Sequence, residues 1–577
     1  MPLLVVETLA ANLVFVVVAL AIGERVVRLL GGERGRAGFA LLVGLGVVAY
    51  VGVLLGLAHL FGRIELAVAA VVLVAAGDLR PYLRLPRFSW HAVLPLALFA
   101  AQWLAALAPP EAYDELAYHL PEARSIVHAH ALPLTLNHDH VYGNLPALME
   151  TLYAEALAFR GTALVHAVHL TVFGAFLLVV AGAVRMLFGS RAAALAVIGL
   201  LLFQDLTYNA TTAYVDTAQL SFALAGLLAI VLFAAFDRAG DAAAAALLLG
   251  FALSVKYSAL PTAAFVAVVA AVLLVRRGRL ALAPALAGLT VLACGFWYGK
   301  NLVRFGNPVY PLYFGHSGVD EGSYKHFLAD VQQFGPRTAY GFVTAPSRYA
   351  NLGALVAFVS AYVAPLALLV RRFRIEAGIL LAYALWYFVY WYWLGTHQLR
   401  FLAPAASVAI ILSAVALTRR ATLVAAVVVA IVAVGVAEAR LRSFATAQAR
   451  PAAEAAVGAP KSGYALGLES RRAFLRHYFG CEYDAVAWLE QRRANGAVVI
   501  AEGSLAPWFA RRNVFRPLVT SASTRAGVEH DLRAQGFRWI FTPAGTGHLS
   551  SDPVADALLA RAPPAWSEDG CALARAP

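Results

Sequence analysis

Residues 92–121 read AVLPLALFAAQWLAALAPPEAYDELAYHLP. The first part, to residue 108, is an apolar run without a charged side chain. The second opens on Pro109-Pro110-Glu111 and sets Asp114, Glu115, Tyr118 and His119 close behind it. A run of about 17–25 apolar residues suffices to cross a hydrocarbon core roughly 30 Å thick. Ionisable side chains at the end of such a run belong at a membrane surface, where they mark candidate functional positions. An acidic pair at a helix end is also explained by plain solvation, so position alone leaves the two readings open.

Working outward, similar runs recur from the first residues to about Ala437. Mean hydropathy is +0.72 and only 14% of residues are charged, against roughly 25% in ordinary soluble domains, so a bilayer is the expected solvent. The predicted fold class is an α-helical polytopic membrane protein with about 14 transmembrane helices and a small C-terminal α/β domain. Spans are expected near residues 3–23, 37–61, 64–77, 92–108, 162–184, 192–207, 217–236, 242–256, 259–275, 280–298, 351–370, 375–393, 401–417 and 421–437. The first run lacks a basic leader and a small-residue cleavage site, and it reads as a retained helix.

Alternate connections carry the arginines: Arg25, Arg28, Arg34 and Arg36; Arg80, Arg84 and Arg87; Arg185 and Arg191; Arg238; Arg276, Arg277 and Arg279; Arg371, Arg372 and Arg374; Arg419 and Arg420. By the positive-inside rule these are cytoplasmic. The net charge of +12 then reports topology, and a nucleic-acid partner is not expected. An even number of spans puts both termini outside, with the polar loops 109–161 and 299–350. The aromatic group Trp386, Tyr387, Tyr390, Trp391, Tyr392 and Trp393 reads first as an interface anchor and second as a sugar platform. The domains are residues 1–108, N-terminal spans; 109–437, the membrane region with the chemistry; and 438–577, a periplasmic α/β domain. In the last, helices are expected over 484–493 and 528–535 and strands over 497–501 and 538–542. Its Cys481 and Cys571 either form a disulfide or remain two thiols, whereas Cys294 lies in an apolar run.

Further candidates follow along the chain. Leu145 to Phe159 carries apolar residues at helical spacing and is expected to lie flat on the interface. Asp216 is a second carboxylate or a helix N-cap. Lys256, Lys300, Arg304 and Arg400 stand at span ends, where they can bind phosphate oxygens or snorkel toward bulk lipid. His138-Asp139-His140 suits a divalent metal on an irregular loop, and ordinary loop histidines are the preferred reading. No cofactor is assigned beyond that divalent ion.

These motifs together resemble the GT-C superfamily, the polytopic glycosyltransferases that include protein O-mannosyltransferases and lipid A aminoarabinose transferases. The likeness spans about residues 100–410. It rests on Tyr113-Asp114-Glu115 with Tyr118-His119, on Tyr214-Val215-Asp216, on Lys256-Tyr257, on Gly306-Asn307-Pro308-Val309-Tyr310-Pro311, and on His397-Gln398-Leu399-Arg400-Phe401-Leu402-Ala403-Pro404. The resemblance implies that Asp114 is the general base or positions the acceptor, with Glu115 beside it and Asp216 as the secondary carboxylate. It implies a donor- and lipid-phosphate-binding set of Tyr118, His119, Lys256, Tyr257, Lys300, Arg304, His397 and Arg400. The implied reaction is inverting transfer of a hexosyl or pentosyl unit from a polyprenyl-phosphate donor to a glycan, lipid or protein acceptor, on the outer face of the bacterial cytoplasmic membrane. One departure is plain: family members place the acidic loop after the first span, whereas about three extra spans precede it here. The alternative function is a transporter or flippase of lipid-linked glycans, which would place ionisable groups near mid-membrane.

Overall fold

The computed structural model describes residues 2–83, 89–136, 141–319, five positions between 321 and 328, 352–395, 399–419, 422–431 and 433, 459–499, 506–510, 513–516, 524–542 and 563–576. They form two compact units, Met1–Ala108 with Tyr118–Ala465, and Pro109–Ala117 with Leu466–Pro577.

The first unit is helical. In chain order it contains α1 (Pro2–Leu29), α2 (Ala37–Leu57), α3 (Arg63–Ala76), α4 (Val93–Ala105), α5 (Leu120–Ala129), α6 (Leu148–Phe159), α7 (Thr162–Phe188), α8 (Ser190–Leu202), α9 (Gln204–Ala210), α10 (Val215–Phe236), α11 (Ala239–Val255), α12 (Leu260–Arg276), α13 (Ala283–Phe305), α14 (Leu352–Val363), α15 (Arg374–Leu394), α16 (Ala403–Leu417), α17 (Thr422–Ile431) and α18 (Ala459–Ala465). Every expected apolar run falls on one of these. Among the described residues eight helices are long and apolar enough to cross a membrane, or nine if α8 and α9, bent by 73°, count as one span. The chain is thus a multi-pass membrane protein, and a count of about fourteen would need the shorter helices as well. The break follows from sequence: the apolar run of α8 ends at Phe203 in extended backbone, and Gln204-Asp205 open α9.

Small residues set the closest crossing. A Cβ at Gly23 would stand 1.8 Å from the carbonyl oxygen of Ala40, and one at Gly44 would stand 1.8 Å from that of Ala19. Only glycine lets α1 and α2 approach so closely, as small-residue interfaces in membranes do. Asn12 on α1 and Thr171 on α7 exchange hydrogen bonds of 3.0 and 3.1 Å. The central helix is α10, whose residues from Val215 to Phe233 are all buried.

The arginine-bearing connections meet at one end. Arg238 pairs with Glu33 at 2.6 Å, Arg36 with Asp241, and Arg277 with Asp237 at 2.9 Å. Arg277 also donates to the carbonyls of Phe233 and Ala234, both at 2.6 Å, and Arg419 to that of Phe188 at 2.6 Å. Asp78 lies between Arg28 and Arg80, and the hydrogen bond from Arg80 holds its carboxyl well below the usual carboxylate range.

α6 falls within the stretch Leu145 to Phe159 that the sequence marked as helical, and all but two of its residues are buried against protein, Glu150 and Glu155 among them. Burial pushes the Glu155 carboxyl well above the usual range. The apolar stripe was real, but the acidic side of the helix also faces protein.

The second unit is a small α/β domain. Its strands are β1 (Gly496–Val499), β2 (Asn513–Arg516), β3 (Phe537–Thr542), β4 (Trp566–Glu568) and β5 (Cys571–Arg575), in sheet order β2-β1-β3-β5-β4. β1 runs parallel to β2 and β3, and β5 antiparallel to β3 and β4. Helices α19 (Arg471–Phe479), α20 (Cys481–Gln491) and α21 (Arg525–Ala534) complete it. Successive strand residues point to opposite faces. Val498 therefore packs with Ala485 and Leu489 of α20, and Val499 with Val528 and Leu532 of α21. The four sequence-predicted elements are present within a few residues of their expected ends. Cys481 and Cys571 are joined by a disulfide with Cα atoms 5.8 Å apart, which settles the pairing the sequence left open.

Candidate functional site

The site is built where three helices of the first unit end. α10 begins after Tyr214, α11 stops at Val255 with Lys256 in extended backbone, and a short 3-10 turn, Leu399–Leu402, leads into α16. Antiparallel packing of α10 on α11 brings the start of one beside the end of the other. Asp216 in the first turn of α10 thus meets Lys256, Nζ to Oδ1 2.7 Å, with Arg400 Nη1 3.9 Å from the other oxygen. The carboxylate is 8% exposed, and no side-chain cap bond forms at this helix start, so the N-cap reading of Asp216 gives way to an ion-paired one.

Aromatic faces fix both cations. Lys256 Nζ sits 4.9 Å from the centre of the Phe401 ring, and the Arg400 guanidinium 4.9 Å from Phe401 and 5.2 Å from Tyr214. Cation–π contacts of this kind hold a charge in place without neutralising it. A small pocket opens beside Asp216, lined by Asn209, Gln219, Tyr387, Arg400, Phe401 and Pro404. The aromatic group is therefore divided: Tyr387 and Trp391 are buried, Trp386 Nε1 donates to the carbonyl of Pro261 at 2.9 Å, and Trp393 is exposed.

Lys300 and Arg304, one turn apart on α13, form a second cationic pair. Lys300 donates to the carbonyl of Leu134 at 3.2 Å and Arg304 to the hydroxyl of Thr135 at 3.0 Å. Neither is in an ion pair among the described residues. Tyr257 has a scaffolding place instead: its hydroxyl donates to the carbonyl of Tyr310 at 3.2 Å and accepts from Asn301 at 3.0 Å, and Asn301 also donates to the carbonyl of Asn144 at 2.9 Å. In the Gly306-Asn307-Pro308 motif, Gly306 ends α13 in the left-handed region with φ +66°, which favours glycine. Asn307 closes the next turn by donating to the carbonyls of Leu312 and Gly315.

His119 ends a π-helical turn, Glu115–His119, and its Nδ1 lies 2.7 Å from Glu150 Oε1 on α6. Tyr118 stacks on Tyr142 with ring centres 4.6 Å apart. In the second unit, Glu115 is fully buried and its carboxylate accepts from the backbone N–H groups of Glu111 and Ala112, both at 3.3 Å. It ties down its own loop, while Asp114 is half-buried beside an exposed Tyr113.

Of the predicted residues, then, Asp216, Lys256 and Arg400 come together, Lys300 and Arg304 pair separately, and Asp114 and Glu115 belong to the other unit. His397 and the segment His138-Asp139-His140 lie outside the described residues. Among the described residues no group of three or more His, Cys, Asp or Glu side chains could hold a metal ion. Sequence reasoning passed over Glu150, which shares the polar side of its helix with Thr151 and Glu155. It also passed over Lys461 of α18, buried with Nζ 4.7 Å from the Tyr208 ring centre.

No family model matches the chain, and no curated protein does. Solved structures do. ArnT from Cupriavidus metallidurans bound to undecaprenyl phosphate matches with a TM-score of 0.56 and 18% identity, covering 84% of this chain and 98% of that one. The same protein in the apo state matches with a TM-score of 0.52 and 16% identity over the same shares. The chain therefore has the fold of ArnT.

Proposed function

We propose that this protein is an inverting glycosyltransferase that moves a sugar from a polyprenyl-phosphate donor to an acceptor on the outer face of the cytoplasmic membrane. The observation that carries the reading is the excess of cations around one buried carboxylate at the meeting of α10, α11 and α16. Lys256 and Arg400 flank Asp216, and Lys300 and Arg304 on α13 make their hydrogen bonds to neutral oxygens among the described residues. Such an arrangement suits a phosphate that arrives with a substrate and leaves with a product. The ArnT fold supports it, since ArnT was solved with undecaprenyl phosphate.

In this reading the isoprenoid tail stays among lipids while the phosphate reaches the helix ends. Asp114 takes the proton of an acceptor hydroxyl, that oxygen attacks the anomeric carbon with inversion, and the bond from that carbon to the phosphate oxygen breaks with its electron pair on the phosphate. Asp216 holds Lys256 and Arg400 at fixed positions, so charge stabilisation needs no rearrangement. Glu115 positions the loop that carries Asp114. The outer-face assignment draws on the Cys481–Cys571 disulfide, since such bonds persist in oxidising compartments. It draws also on the arginine-rich connections, which the positive-inside rule keeps in the cytoplasm.

The test is transfer from defined polyprenyl-phosphate sugars in vesicles reconstituted with the full chain. Wild type should form product, and Asp114→Asn should lose about 10²–10⁴-fold in kcat, the usual share of a positioned base. Equal transfer by both removes Asp114 from the chemistry.

A further inference from the structure

Three histidines of the first unit, His119, His166 and His169, are almost completely buried. His166 Nδ1 lies 3.0 Å from the carbonyl of Ala106, and His169 Nδ1 2.8 Å from the Tyr153 hydroxyl. Both of those partners are neutral groups. His119 differs: its Nδ1 meets a carboxylate, Glu150, and both side chains are under 5% exposed. Its other ring nitrogen, Nε2, is buried with no hydrogen-bond partner among the described residues. A buried polar atom left so is costly, which points to a ligand group that completes it.

The neighbourhood says which ligand. The His119 ring centre is 6.5 Å from that of Tyr214, and Tyr214 is the ring on which Arg400 rests at 5.2 Å. Tyr118 closes the other side at 4.1 Å. The imidazole therefore lies one aromatic ring away from the Arg400 guanidinium.

We propose that His119 and Glu150 form a proton-donating dyad for the departing lipid phosphate, with Glu150 fixing the imidazole through Nδ1 and His119 Nε2–H donating to a phosphate oxygen. This rests on the glycosyl-transfer reading above. As the bond between the anomeric carbon and the phosphate oxygen breaks, the phosphate gains the electron pair and a second negative charge, and the Nε2 proton moves onto it. The acceptor's own proton leaves through Asp114 to water, and water reloads His119, so the sum carries one proton from acceptor to phosphate. A positioned imidazole N–H is a common general acid, and a leaving phosphate oxygen that gains charge is a fitting acceptor for its proton. Glu150 is the positioning residue and His119 the catalytic one.

The experiment uses the full chain in vesicles with a polyprenyl-phosphate sugar that the wild type transfers. His119→Asn is expected to lower kcat by about 10²–10⁴-fold, while KM for the donor stays within a few-fold. Added imidazole should restore at least part of the loss in His119→Ala, a rescue that a purely structural role would not show. Glu150→Gln should lower kcat and Glu150→Asp should recover part of it. Unfolding midpoints of the variants establish that they fold, and if His119→Asn does not, Glu150→Gln carries the same kcat readout. Wild-type kcat in the folded variants, or a His119→Ala loss untouched by imidazole, overturns the dyad. Absence of transfer by the wild type with every donor removes the glycosyl-transfer reading itself, and the dyad with it.

Discussion

The two ends of the helical unit are both rich in charge, yet they hold it with different partners. At the arginine end cations are tied to acceptors on other connections: Arg277 to two carbonyls and Asp237, Arg36 to Asp241, Arg238 to Glu33, and Arg28 and Arg80 to the one Asp78. These contacts join connections far apart in sequence and leave little to offer a ligand. At the other end one carboxylate, Asp216, is flanked by two cations, and Lys300 and Arg304 bond only neutral oxygens among the described residues. At the arginine end these contacts serve architecture. In the proposed reading, cations held by aromatic faces at the ends of apolar helices are the place for an anion whose lipid tail lies in the membrane.

Substitutions can break or sharpen that contrast. The largest stability effect is expected from Lys256→Met, which leaves the buried Asp216 with only Arg400 at 3.9 Å. Loss of one partner of a buried pair should cost about 3 kcal/mol in unfolding of the purified chain. If stability is unchanged, Asp216 and Lys256 are not the fixed pair described. A smaller effect is expected from Arg277→Ala, about 1–2 kcal/mol for the lost hydrogen bonds, with kcat and KM for the donor unaltered. A fall in transfer by a folded Arg277→Ala would erase the distinction between the two ends.

Much of this contrast was legible in the sequence. Apolar runs of membrane-spanning length placed the helices, and arginines at alternate connections marked one end, because both signals are compositional and local. Lys256, Lys300, Arg304 and Arg400 were visible as cations at span ends. What sequence could not supply was partnership. The same lysine at a helix end snorkels to lipid or pairs with Asp216, and only the antiparallel meeting of α10 with α11 decides between them. Glu150 was hidden because its helix reads as amphipathic, and a stripe pattern does not tell lipid or water from protein on the polar side. The 73° bend after α8 was missed for a similar reason, since the apolar run continues through Phe203 before the polar Gln204-Asp205. In the C-terminal domain the elements with strong periodicity, such as Arg525–Ala534 and Phe537–Thr542, were found, whereas the short strands Asn513–Arg516 and Trp566–Glu568 gave too little pattern to read.

The central claim is that the cation-rich end binds a lipid-linked phosphate, and equilibrium binding of undecaprenyl phosphate to the detergent-solubilised full chain measures it directly. Removing one charge-assisted hydrogen bond is worth about 1.5–3 kcal/mol. Arg400→Ala should therefore weaken binding by roughly 10–150-fold, while Arg277→Ala should bind as the wild type does. Equal affinity of Arg400→Ala and wild type, with both chains folded, would contradict the account.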